Sequence, residues 1–139
     1  MAIPFSIVDC RTAPAEAGTA VAVVHLRSLE SDGWMRDLAA FLATPVTVFA
    51  RAAPGGHRAR LFAGDVEVEY SGAGLAAAAH ALWEADLIPA PRAVRLLTPL
   101  GEVDARRSGV AIELDRAGRT VFAVAACVTV ARGELVWPA

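Results

Sequence analysis

Residues 71–88, Ser71-Gly72-Ala73-Gly74-Leu75-Ala76-Ala77-Ala78-Ala79-His80-Ala81-Leu82-Trp83-Glu84-Ala85-Asp86-Leu87-Ile88, decide the fold. Ser71 is a good N-cap and Pro89 stops a helix, so the composition predicts a helix of roughly five turns between them. Ala and Leu give it strong propensity, and no β-branched residue interrupts before Ile88. No charge occurs from Gly72 to Leu82, and apolar residues cover every face. Such a helix is buried all round, and its Ala side chains let a sheet curl closely over it. Its glycine-rich start leaves free N–H groups that favour an anion. Core element and candidate ligand seat thus coincide.

Working outward, Ile3–Cys10 and Thr19–Leu26 read as strands, the second apolar enough to be buried on both faces. Arg11–Gly18 is a loop punctuated by Pro14 and Gly18. Ser31 or Asp32 can cap a surface helix over Gly33–Ala43, with Trp34, Leu38, Phe41 and Leu42 as its apolar stripe. Val46–Ala52 follows as a strand. His57–Phe62 and Asp65–Tyr70 form a hairpin around Ala63-Gly64, with Val66, Val68 and Tyr70 opposite Asp65, Glu67 and Glu69. Beyond the rigid Pro89-Ala90-Pro91 link, Val94–Thr98, Gly101–Arg106, Gly109–Asp115, Thr120–Val130 and Gly133–Trp137 make a meander. Eight or nine strands and two helices predict one α+β domain over 1–139: a mixed, curved β-sheet wrapped around one long buried central helix.

The chain has 139 residues, 55% hydrophobic and 20% charged, which fits one packed domain and excludes disorder. A net charge of −2 argues against nucleic acid. All 13 cations are Arg, and Lys, Asn and Gln are absent, which removes lysine Schiff bases and amide oxyanion donors. Cys10 and Cys127 lie in apolar strands and are expected as reduced thiols. No signal peptide is expected, and the longest apolar run, Val121–Ala131, is too short to span a bilayer. A cytoplasmic location with no membrane partner is the expectation.

Candidate chemistry is thin. His80 reads as a core histidine bonded to a backbone carbonyl. His25 and His57 have no ligand-like spacing, so neither a metal nor a cofactor is expected. Cys10 follows Asp9 at a strand end, where an inert buried thiol competes with a reactive one. Glu67 and Glu69 read as a solvated face. Gly72-Ala73-Gly74 is a weak dinucleotide signal but a fair anion seat, against an alternative in which the glycines serve packing alone.

Several segments resemble the phenazine-biosynthesis PhzF-like family. Ile7-Val8-Asp9-Cys10 and Gly18-Thr19-Ala20-Val21-Ala22-Val23 resemble its opening strand, loop and second strand. Trp34-Met35-Arg36-Asp37-Leu38-Ala39 resembles its first helix. Glu67-Val68-Glu69-Tyr70-Ser71-Gly72-Ala73-Gly74-Leu75-Ala76-Ala77-Ala78-Ala79-His80 resembles its Glu-Val-x-Phe-x-Gly-His-x-Thr-Leu-Ala-Ala-Ala-His stretch. Ala125-Ala126 with Val128–Leu135 resembles its closing Gly-Gly strand and Gly-Glu-Leu.

The resemblance implies a diaminopimelate-epimerase-like fold, and one domain where the family usually carries two. The family's His falls at Ala73, its Asn at Thr19 and its catalytic Glu at Val46, so family-type acid/base catalysis is not expected. What remains implies a half-size member binding a small carboxylate-bearing metabolite at Gly18, Thr19, Ser71, Gly72, Ala73 and Gly74, repurposed as an isomerase or cyclase of specialised metabolism. Asp9, Cys10, Glu67 and Tyr70 are the weak catalytic candidates. The alternative is a catalytically inactive scaffold or interaction subunit. A homodimer is expected in either case.

Overall fold

The structure is a computed structural model that describes residues 2–12, 18–89 and 92–138. Most of the loop expected around Pro14, and the Ala90-Pro91 part of the proline link, lie outside these residues. The described residues form β1 (Ala2–Arg11), β2 (Thr19–Leu26), α1 (Asp32–Leu42), β3 (Val46–Ala53), β4 (Gly56–Ala63), β5 (Val66–Val68) and α2 (Gly72–Glu84). After α2 come β6 (Val94–Thr98), β7 (Gly101–Ser108), β8 (Ala111–Arg116), β9 (Arg119–Val124) and β10 (Ala126–Val136). All strands join one mixed sheet in the order β10-β1-β2-β3-β4-β6-β7-β8-β9, with β5 paired to β4.

Only β2–β3 and β4–β6 are parallel, and each of these pairs is bridged by a helix. Crossovers of this kind are right-handed almost without exception. Because β4 runs antiparallel to β3, two right-handed crossovers progressing the same way across the sheet put their helices on opposite faces. The core divides accordingly. Val21, Val23, Val48, Ala59 and Leu61 pack inward with α2, while Val24, Phe49 and Phe62 pack outward with Trp34, Met35, Leu38 and Ala39 of α1. Strand β2 is therefore buried on both faces, as its β-branched run predicts.

The inner helix is enclosed on every side, with Leu75–Ala79, Ala81, Leu82 and Trp83 all buried and β1 through β4 and β6 through β10 packed around it. Small side chains make this possible. A Cβ on Gly72 would lie 2.5 Å from the Phe122 ring, and one on Gly74 would lie 2.8 Å from Leu61 Cδ2.

Four expectations need correction. The central helix has 13 residues and stops at Glu84, short of Pro89. Asp86, at φ 57°, takes the left-handed position of a closing turn in which Asp86 N–H donates to Trp83 O and Leu87 N–H to Leu82 O. That position usually carries glycine, so the stop has no sequence flag. Phe41 is 70% exposed, its ring against Trp137, and Met35 and Ala39 complete the buried stripe of α1 instead. The strand expected over Asp65–Tyr70 shrinks to Val66–Val68. Thr120–Val130 breaks at Ala125, whose N–H donates to Arg11 O, and β10 then continues to Val136, giving ten strands among the described residues.

At the far end of α2, His80 Nε2 meets Thr129 Oγ1 at 3.0 Å, and the Thr129 hydroxyl donates to Glu84. The partner of this histidine is thus a hydroxyl, where a backbone carbonyl was expected. Burial lowers His80 below its ordinary value, opposed by Glu84 and helped by Arg107 and Arg132. Burial also lowers His25, with His57 beside it adding to the effect, and burial lowers His57.

Two predictions follow from the packing and these charges. Gly72→Ala forces its methyl into Phe122; overpacking of about 1–3 kcal/mol outweighs about 1 kcal/mol of helix propensity. The urea midpoint should fall, and should recover in a Phe122→Val background. For the histidines, the unfolded chain holds more protons than the native one wherever the native pKa is depressed. Stability is therefore full above pH 6.5 and falls as pH drops below it through the depressed native values. Urea unfolding across that window should show the decline, and a slope that does not soften in His25→Leu would refute the assignment.

Candidate functional site

Side-chain alternation along β1 turns Ser6, Val8 and Cys10 toward α2. Strand β10 pairs with β1 in a register that shifts between Ile7 and Val8, because Val130 is an extra residue on the β10 side. Beyond this bulge Val8 faces Thr129 and Cys10 faces Cys127. The two Sγ atoms are 2.9 Å apart, and the Cys10 thiol donates to Ala73 O at 3.4 Å in the first turn of α2. Both cysteines are free thiols. The hydrogen bond with Cys127 and then burial push the Cys10 thiol far above its ordinary value, with Cys127 and Asp9 adding charge repulsion.

The helix start is capped from within. Ser71 Oγ accepts from Gly74 N–H at 3.1 Å, and Leu75 N–H donates to Ser71 O. Among the described residues the N–H groups of Gly72 and Ala73 have no protein acceptor. Phe122 covers Gly72, while Ser71 and Ala73 stay half-exposed, so the helix end opens on their side. Val46 Cγ1 stands 3.0 Å from where a Cβ of Gly74 would be. The position that the resemblance aligns with the family's catalytic Glu therefore does lie at the helix start, but holds an apolar side chain.

The other sequence candidates divide. Thr19 is the β2 partner of Cys10, and Gly18 passes so close that a Cβ there would strike Asp9 and the Cys10 carbonyl. Asp9 itself alternates to the other face of β1 and pairs with Arg11 at 2.8 Å. Glu67 accepts two bonds from Arg60, which also holds Asp32 of α1, so it belongs to the outer face and takes no part at the helix start. Tyr70, just before the N-cap, packs on the inner core with a buried hydroxyl that has no partner among the described residues, and burial raises its pKa. Cys127 and Phe122 were not singled out from the sequence. Only the bulge brings Cys127 inward, and the sequence carries no sign of it.

Two neighbouring clefts of about 310 and 340 Å³ lie at the opposite end of α2 and share Pro4, His25 and Ala85. The larger also meets His57, which flanks β3 from the side opposite His25. His57 Nδ1 is buried without a partner among the described residues. No group of three or more His, Cys, Asp or Glu that could hold a metal occurs among the described residues, and no described helix is long and apolar enough to cross a membrane.

Comparison with known proteins places these features in a family. Residues 8–131 match the model of the phenazine biosynthesis-like proteins, PhzC-PhzF. An uncharacterised isomerase of Halalkalibacterium halodurans is 34% identical over 115 residues, covering 83% of this chain and 43% of that protein. The fold is similar to that of a PhzF-family protein of Enterococcus faecalis, with TM-score 0.75 and 19% identity over 82% of this chain and 44% of the other. It is also similar to a hydroxyproline epimerase of Agrobacterium vitis solved with trans-4-hydroxy-L-proline, with TM-score 0.60 and 18% identity over 81% and 41% of the two chains. The chain thus spans less than half the length of these relatives. With the match running from β1 into β10, the chain belongs to the phenazine biosynthesis-like family.

Proposed function

We propose that the chain binds a small carboxylate-bearing metabolite at the start of α2, on the open side formed by Ser71 and Ala73 with Gly18 and Thr19 close to Cys10. The observation that carries this reading is the pair of N–H groups of Gly72 and Ala73, without an acceptor among the described residues, at the positive end of a largely buried helix. The buried hydroxyl of Tyr70, the residue before the N-cap, has no partner among the described residues and supports it, since an unmet buried donor costs about 1–3 kcal/mol that a ligand oxygen would recover. The chemistry is a repurposed isomerisation or cyclisation of specialised metabolism in the cytoplasm, resting on shape and the helix dipole and not on the family's carboxylate.

A second reading, a scaffold or interaction subunit without catalysis, is favoured by one feature: Val46 occupies the aligned position of that carboxylate. Either reading makes the protein a homodimer. Val121, Val128 and Val130 on the last two strands are exposed, and a second copy covers this apolar patch.

Thermal shift and calorimetry against small carboxylates, trans-4-hydroxy-L-proline among them, should identify a ligand. Ala73→Glu places a carboxylate over the seat and favours the helix dipole, so binding should drop at least tenfold while stability holds or rises. Tyr70→Phe should weaken binding without destabilising the free protein. Equal affinity in Ala73→Glu would sink the site. Light scattering on a size-exclusion peak should give a dimer mass at micromolar concentration, and Val130→Lys a monomer; a wild-type monomer would refute the assembly.

A further inference from the structure

We propose that Cys10 and Cys127 form a redox modification site, a dithiol that closes to an intramolecular disulfide by exchange with a small disulfide of the glutathione class. The two residues are register partners on adjacent antiparallel strands, and their Sγ atoms are already 2.9 Å apart. Directly opposed antiparallel residues have Cα atoms about 4.5–5.5 Å apart, inside the span of about 4.4–6.8 Å that a disulfide bridges. The backbone need not move for the bond to form. Small side-chain rotations bring the sulfurs together.

The register behind this is specific. From Ala2 to Ile7 the pairing follows one phase, and the extra Val130 advances β10 by one residue. Without that bulge Cys10 would face Val128, and Cys127 would turn to the other face of the sheet. An insertion that would otherwise only weaken the ladder thus places one thiol against the other.

The two sulfurs have different tasks. Cys10 is 3% exposed and its thiol is held protonated, whereas Cys127 is half-buried and the less enclosed of the two. Cys127, deprotonated, attacks one sulfur of the external disulfide, and the first small thiolate leaves. Cys10 then gives up its proton to that thiolate or to water and attacks Sγ of Cys127, expelling the second small thiolate. Two protein thiols are oxidised by two electrons, and one small disulfide is reduced to two thiols. Excess dithiol reduces the bond back to two thiols by the same kind of exchange and leaves as its own disulfide. In a reducing cytoplasm the closed form is transient, which suits a response to oxidant load.

Closure removes the S–H that donates to Ala73 O, so it changes the hydrogen bonding of the first turn of α2. Any effect on the carboxylate seat rests on the function proposed above. Formation of the disulfide does not.

The test uses the full chain incubated with oxidised glutathione, quenched with an alkylating agent and weighed by mass spectrometry. The expected product has lost two hydrogens, takes up no alkyl group, yields one peptide linking Cys10 to Cys127 and returns to two alkylatable thiols with dithiothreitol. Its thermal midpoint should rise, because the link spans 117 residues of the unfolded chain. In Cys10→Ser the same treatment should leave glutathione attached to Cys127. Two alkylatable thiols remaining in the wild type would overturn the proposal, and so would a persistent glutathione adduct on wild-type Cys127 or a disulfide between chains. If carboxylate binding is absent yet the linked peptide forms, the ligand reading fails and the redox site stands.

Discussion

Everything in this fold depends on whether a helix can be completely enclosed. From Leu75 to Ala79 no side chain reaches water, and the backbone within the helix satisfies its own amides. Alanine and glycine keep the helix thin, so the sheet can bend around it until β9 and β10 approach across Ala125 and Arg11. A helix of leucines would hold the strands apart. The difficulty is moved to the two ends, where amides and carbonyls have no internal partner. Ser71 and Glu84–Leu87 answer it differently: a side-chain cap at the first, a left-handed backbone turn at the second.

Both ends therefore collect polar groups in an otherwise apolar interior. At the start the thiol of Cys10 lies against the first turn with Cys127 beside it, and Val46 stands against Gly74. At the finish His80, Glu84, Thr129 and Arg132 form a chain of contacts between α2 and β10, and Arg107 stacks over Trp83 at 4.6 Å.

Much of this was legible from residues 71–84 alone, because an uncharged, β-branch-free run leaves no surface face. The double burial of β2 was legible for the same reason in strand form. Other features were hidden by particular residues. Asp86 stands where glycine would have announced the end of α2. Phe41 lies on the expected apolar stripe of α1, yet one position of rotation leaves it in solvent. Cys127 could not be placed, since one bulge residue inverts its face and periodicity cannot see insertions. His25 and His57 share a cleft through β3 although 32 positions apart in the chain, a proximity set by topology and not by spacing.

The pairing of β1 with β10 also governs how the chain can fold. Ala2 lies against Val136, so one edge of β1 stays uncovered until β10 has been made. Contacts of such sequence separation are entropically slow to close, and folds dominated by them form in roughly milliseconds to seconds. Until then the unpaired edge of β1 can recruit strands from other nascent chains. The short, locally paired β3–β4 and β7–β8 hairpins can form early, and α2 cannot be sealed until β10 arrives. Enclosure of α2 is thus a late event, in which β1 and β10 meet.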